Sequence, residues 1–257
     1  MQVNSLGHYF LLCAVVCWIV LGLQKKSYNG PMIRQIISIG GGGFSHSKSD
    51  LKLEKYILAQ SEASKPKICM LPQASCEDQA YLVKFYDTFH RLGAEPTWLS
   101  LFGRVDKHYP EKLLDQDIIY VGGGNTKSML ALWQAWGIDF LLKQAYENGA
   151  VLAGVSAGAI CWFEHCVTDS VWPLGMIEGL GFLKGSCCPH YDSEPERAPT
   201  FRQMVKDEIV SPGIALDDFT AAHYVDGDLK HVISAGPTQN AYRLDRDSET
   251  VLTPLRL

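Results

Sequence analysis

Gly154-Val155-Ser156-Ala157-Gly158-Ala159 places a nucleophilic hydroxyl between small residues, directly after the apolar run Ala150–Ala153. GxSxG after a strand and before a helix is the pattern of a nucleophile elbow. A turn that tight lifts the serine hydroxyl clear of the backbone and aims the next helix N-terminus at it. The Ala157 amide would then face the position where an oxyanion forms, aided by the helix dipole. The bland alternative is a Gly/Ala/Ser turn used for close packing. The preceding strand and a second glycine loop favour the catalytic reading.

That second loop is Tyr120-Val121-Gly122-Gly123-Gly124-Asn125-Thr126. Glycines let backbone N–H groups approach a ligand closely, and Asn125 or Thr126 can cap the following helix. The loop has no lysine in the P-loop position and no GxGxxG spacing, so a phosphate cradle does not fit. Gly40–Gly43 likewise fails to complete a nucleotide fingerprint and reads as a turn lining the pocket.

A serine needs a base. Of eight histidines, His8 lies in an atypical leader, and His90 and His108 have no catalytic neighbours in sequence. His165 is expected at the far end of the elbow helix. His46, His223 and His231 stay open. His190, in Cys187-Cys188-Pro189-His190-Tyr191-Asp192, has a stiffened approach and polar residues after it. Three aspartates could orient it. Asp169 gives the chain order Ser, Asp, His; Asp192 gives His-x-Asp; Asp218 follows an apolar run and could instead bind a substrate cation.

Short apolar runs ending in Gly or Pro alternate with amphipathic stretches from Arg34 onward. Ile36–Ile39, Lys67–Leu71, Asp117–Val121 and Ala150–Ala153 read as strands, and Gln79–Leu92 and Thr126–Trp136 as helices. Continuous apolar strands between helices predict a parallel, doubly wound sheet covered on both faces. Ligands bind beyond the carboxyl ends of such strands, where three of these runs end in glycine clusters. Gly213–Leu216 and His231–Ser234 read as further strands, and Asp226-Gly227-Asp228 as a hairpin turn.

Composition is that of a globular protein, 47% hydrophobic and 20% charged. A net charge of −5 offers no basic face for nucleic acid. Eight cysteines lack CxxC spacing, so neither a structural metal nor a disulfide framework is expected. They read as reduced thiols of a cytoplasmic protein.

Residues 9–23 form an uncharged apolar run followed by Lys25 and Lys26. Fifteen helical residues reach about 22 Å, short of a bilayer core of about 30 Å. Residues 1–31 are therefore expected to be a leader outside a single catalytic domain spanning 32–257. One reading starts the enzyme at Met32. The other makes 9–23 a membrane anchor with the body on the cytoplasmic side.

Taken together, Val121-Gly122-Gly123-Gly124-Asn125-Thr126, Ser156-Ala157-Gly158-Ala159, Thr168-Asp169-Ser170 and Pro189-His190-Tyr191 resemble peptidase E and its relatives. That family shares a core with the class I glutamine amidotransferases. The resemblance covers about Ile36 to Ala241. It implies a flavodoxin-like αβα sandwich and a cofactor-independent serine mechanism. By it, Ser156 is nucleophile, His190 general base and Asp169 the orienting acid, with the Gly124 and Ala157 amides as the oxyanion hole. It also implies a small peptide substrate, a dipeptide with N-terminal Asp. Asn125 and a cation from Arg197 or Arg202 would contact that substrate. The alternatives are a cyanophycinase-like hydrolase of β-aspartyl-arginine and a non-catalytic binding protein of the same fold. A glutamine amidotransferase would need cysteine at position 156.

Overall fold

The computed structural model describes residues 32–46 and 49–257. The expectations for the leader, residues 1–31, fall outside the described residues. Among the described residues, no helix is long and apolar enough to cross a membrane.

Five strands form the parallel part of the main sheet: β1 (Gln35–Ile39), β2 (Lys67–Leu71), β3 (Glu95–Trp98), β4 (Ile118–Val121) and β5 (Val151–Val155). Their order is β1-β5-β4-β2-β3, every neighbouring pair parallel. Between them run α1 (Lys52–Leu58), α2 (Gln79–Arg91), α3 (Tyr109–Leu114), α4 (Thr126–Trp136) and α5 (Ile138–Glu147). Alternate side chains of each strand face opposite sides. Ile36, Leu71, Ile119, Val121 and Leu152 pack with Met129 and Trp133 of α4 and Leu142 of α5. Ile37, Ile39, Ile68, Met70 and Tyr120 pack with Ile57 of α1 and Phe85 and Phe89 of α2. The chain is thus a mostly parallel α/β sandwich of the flavodoxin-like kind, with helices on both faces.

After β5 the elbow helix α6 (Ala157–Ile160) lasts a single turn, and the chain enters a second sheet. This sheet contains β6 (Phe163–Thr168), β7 (Gly175–Glu178), β8 (Leu183–Cys188) and β9 (Gly213–Leu216), with α7 (Arg197–Lys206) inserted before β9. The chain then returns to the main sheet through β10 (Thr220–Val225) and β11 (Asp228–Ser234). Next, β12 (Ala241–Asp245) and β13 (Ser248–Leu252) complete the second sheet, and β14 (Leu255–Arg256) edges the first. The β10–β11 turn has Asp226 and Gly227 at φ 52° and 91°, the two positive φ values of a type I′ hairpin. The second sheet, in the order β13-β12-β9-β8-β6-β7, has its own core, where Val167, Cys188, Ala215 and Leu244 meet Phe201 and Val205 of α7.

β1 lies between parallel β5 and antiparallel β10. Its carboxyl end, at Gly40–Gly43, therefore sits where the sheet changes character, beside the ends of β4 and β5 that carry the other two glycine loops.

Candidate active site

Ser156 stands between β5 and α6 at φ 57°, ψ −114°. That is a sparsely populated conformation for a residue with a Cβ, and such strain persists only where its surroundings enforce it. Here the glycines of the motif enforce it. A Cβ on Gly154 would lie 2.3 Å from the Gly158 carbonyl oxygen, and one on Gly158 would lie 2.2 Å from that of Val121. The elbow helix can fold back onto β5 and β4 only because both positions lack side chains. The Ser156 carbonyl then accepts from the amides of Ala159 and Ile160. Ala157, at the start of this turn, belongs to the first N–H groups of a helix, which have no partner within it.

The triple-glycine loop runs alongside. A Cβ on Gly123 would be 3.3 Å from the Ser156 Cβ, so backbone and nucleophile meet at contact distance. Gly124 has φ 133°, and its Cβ would overlap the Ala74 carbonyl, which instead accepts from the Asn125 amide at 2.8 Å. Asn125 Oδ1 caps α4 by accepting from the Ser128 amide at 2.8 Å, as its residue type predicts.

His190 approaches from the second sheet. Its amide donates to the Gly40 carbonyl at 3.2 Å, while the Ser156 amide donates to the Ile39 carbonyl at 3.0 Å. Successive carbonyls at the end of β1 thus hold the candidate nucleophile and base on adjacent residues. The imidazole Nδ1 lies 2.7 Å from Asp218 Oδ1, with both side chains about one-fifth exposed. Burial pushes the Asp218 carboxyl up. The His190 hydrogen bond and charge, with Ser193 and nearby His46, outweigh it and hold the group below the usual carboxylate range. Gly41 makes room for this pair, since a Cβ there would fall 1.8 Å from Asp218 Oδ1 and 2.5 Å from His190 Nδ1. Asp192 Oδ1 accepts the Asp218 amide at 2.8 Å and fixes the backbone behind the carboxylate. Asp217 points into the protein, accepting from the Asn240 amide, and burial pushes its carboxyl up to about 6.

Asp169 does not meet His190. Its carboxylate is 58% exposed and lies 3.5 Å from Arg197 Nη2. The Thr168-Asp169-Ser170 segment instead docks against the triple-glycine loop. Asn125 Nδ2 donates to the Ser170 carbonyl at 3.1 Å, the Lys127 amide to Ser170 Oγ at 3.2 Å, and Thr168 Oγ1 to Thr126 Oγ1 at 3.4 Å. The carboxylate beside His190 is that of Asp218, one of three aspartates open in the sequence. β9 and β10 carry it there from the far side of the chain.

Arg197 and Arg202, the arginines expected to supply a substrate cation, are both paired with carboxylates. Arg197 is buried, donating to Glu194 at 2.6 Å and to the Val167 carbonyl at 3.1 Å. Arg202 is paired with Glu249 over the Tyr191 ring. Asn125 spends both ends of its amide on backbone groups. Burial and pairing take Arg197 out of the expected substrate contact, while Asn125 keeps one amide hydrogen and one lone pair for a ligand.

The other histidines divide plainly. His165 is on β6, not on the elbow helix, and accepts the Ser211 amide. His223 lies between Tyr56 and Gln35, and burial lowers it to about 4. His46 meets the Phe219 ring edge-on at 5.0 Å, on the rim of the His190–Asp218 pair. Six cysteines are among the described residues, all free thiols and all but Cys76 buried. No group of three or more His, Cys, Asp and Glu is placed to hold a metal ion among the described residues.

Comparison with known proteins bears on this geometry. The sequence model described as Peptidase family S51 matches residues 36–232. The uncharacterized peptidase YgaJ of Bacillus subtilis (strain 168) is 46% identical over 212 residues, covering 82% of this chain and 92% of that protein. The crystal structure of a peptidase from an acI-B1 Actinobacterium superposes with a TM-score of 0.66 at 22% identity, over 88% of this chain and 96% of the other. A putative peptidase E protein from Listeria monocytogenes EGD-e gives 0.56 at 18% identity, over 83% and 100%. At those identities the two structures speak to the fold.

Proposed function

Because the chain belongs to peptidase family S51, we propose that it is a serine-type exopeptidase cleaving small peptides through an acyl-enzyme. Dipeptides with N-terminal aspartate are the leading substrates. The observation that carries this reading is the strained Ser156 elbow held beside a His190–Asp218 pair at the end of β1.

The chemistry follows from the arrangement. Ser156 Oγ attacks the peptide carbonyl as His190 Nε2 takes its proton, and Asp218 holds the imidazole through Nδ1 and balances the imidazolium charge. The Gly124 and Ala157 amides receive the tetrahedral oxyanion, each such donor being worth roughly 3 kcal/mol. His190 returns the proton to the leaving amine. Water, activated by the same imidazole, then cleaves the ester and restores Ser156.

A second reading has one specific observation in its favour. Arg197 and Arg202 are already paired, while Asp192 and Asp218 line the base. A substrate with a cationic side chain, such as β-aspartyl-arginine, would meet this acidic rim favourably. Steady-state hydrolysis of an Asp-Xaa series, β-Asp-Arg and longer peptides decides. The proposal expects Asp-Xaa dipeptides to be best and longer chains to fail. Equal cleavage of casein, or turnover of β-Asp-Arg alone, would overturn the dipeptidase assignment.

A further inference from the structure

On the serine-hydrolase reading above, we propose that Arg197 is a positioning residue that locks the segment carrying the base to the loop carrying the oxyanion hole. It does so through one buried guanidinium. The side chain is only 3% exposed, and three of its nitrogens go to three different places. Nε donates to Glu194 Oε2 at 2.6 Å, Nη1 to the Val167 carbonyl at 3.1 Å, and Nη2 faces Asp169 Oδ1 at 3.5 Å.

Each contact leads to catalytic backbone. On one side, the amides of Ser193 and Glu194 both donate to the His190 carbonyl, at 3.3 and 3.1 Å. Glu194 therefore closes the turn that holds His190 at φ 53°. On the other side, Val167 and Asp169 flank Thr168, whose hydroxyl meets Thr126, and Ser170 is bound by Asn125 and the Lys127 amide. Those residues directly follow Gly124. A continuous path thus runs from the base, through Glu194, Arg197 and the Thr168-Asp169-Ser170 segment, to the oxyanion loop.

Only a planar fork reaches three acceptors in fixed directions; a lysine of the same charge ends in one compact point. Asp169 accordingly serves the reaction through Arg197 and not through His190.

The test compares wild type with Arg197→Lys, Arg197→Met and Asp169→Asn. Thermal unfolding reports whether each is folded. A small fluorophosphonate reports nucleophile, base and oxyanion hole without any substrate side chain. The kcat and KM for the best dipeptide complete the set. Misplacement of a catalytic group by about 1 Å costs about 100-fold, so Arg197→Lys should lose on that order in both labelling rate and kcat, with KM little changed. Asp169→Asn keeps the Glu194 and Val167 contacts and should lose less. A folded Arg197→Lys that labels at the wild-type rate overturns the proposal. So does a raised KM for acidic dipeptides with labelling unchanged, which would make Arg197 a substrate contact. If neither Arg197 variant folds, Asp169→Asn and Glu194→Gln decide, and wild-type labelling in both overturns it. Wild type that takes no adduct fails at the earlier step and refutes the serine mechanism itself.

Discussion

Asp218→Asn separates the two candidate acids. In the wild-type site a carboxylate oxygen lies 2.7 Å from His190 Nδ1. When the imidazole becomes an imidazolium during attack, that oxygen balances a full positive charge. At an effective dielectric constant of about 20, unit charges at this separation attract by about 6 kcal/mol. Since about 1.4 kcal/mol is tenfold in rate, the amide should cost up to about 10⁴-fold in kcat. Partial exposure of the pair trims this toward about 10³-fold. The amide is nearly isosteric and the carboxylate is one-fifth exposed, so the melting temperature should move little. Asp169→Asn, whose carboxylate faces Arg197 at 3.5 Å, is the comparison and should lose far less. The assay is kcat/KM on the best dipeptide together with the rate of fluorophosphonate labelling. If Asp218→Asn keeps more than a tenth of the activity while Asp169→Asn is inactive, the assignment made from the geometry is refuted.

Three further outcomes follow from particular contacts. Gly41→Ala would put a methyl 1.8 Å from Asp218 Oδ1, so the acid or the imidazole must move. Activity should fall about 100-fold or more while circular dichroism stays native. His223 titrates at about 4 when folded and near 6.5 when unfolded. The unfolded chain then binds the extra proton, so this residue's contribution is intact above about pH 6.5 and is lost as pH falls toward 4. His223→Gln should remove that part of the acid destabilisation, which denaturant titrations at pH 7 and pH 4.5 would show. A chain beginning at Met32 should melt and turn over like the full chain, because β1 starts at Gln35; loss of folding on truncation would place part of the leader in the core.

What was legible in the sequence was whatever depends on neighbours along the chain. β2 (Lys67–Leu71), β9 (Gly213–Leu216) and α4 (Thr126–Trp136) match their expected bounds, because buried parallel strands are unbroken apolar runs and Asn125 marks a helix start. The Asp226-Gly227 turn could be read for the same reason. The rest of the second sheet could not. Strands β6 and β7 show no alternation, β6 being mostly buried and β7 only partly covered, so no period of two announces them. Only contact with the first sheet and α7 fixes their faces. The one-turn elbow helix was overestimated because Ile160-Cys161-Trp162-Phe163 is apolar enough to continue a helix, yet Phe163 already lies in β6. The pairing of His190 with Asp218 could not be read from spacing, for a topological reason. Asp169 is near His190 in sequence, whereas Asp218 reaches it because Gly41 and Phe219 join the end of β1 to the start of β10 through an amide–carbonyl bond of 2.9 Å. Arg197 is expected as a substrate cation because it follows His190 closely and arginines are usually exposed. Its burial depends on Glu194 and Val167 meeting at one point, which spacing does not reveal.

The central claim is that Ser156 is the nucleophile, and intact-mass analysis after fluorophosphonate treatment tests it most directly. Wild type should gain one adduct, mapped by peptide sequencing to Ser156. Ser156→Ala should gain none while unfolding at the wild-type temperature. An adduct on another residue, or equal labelling of wild type and Ser156→Ala, would contradict the account.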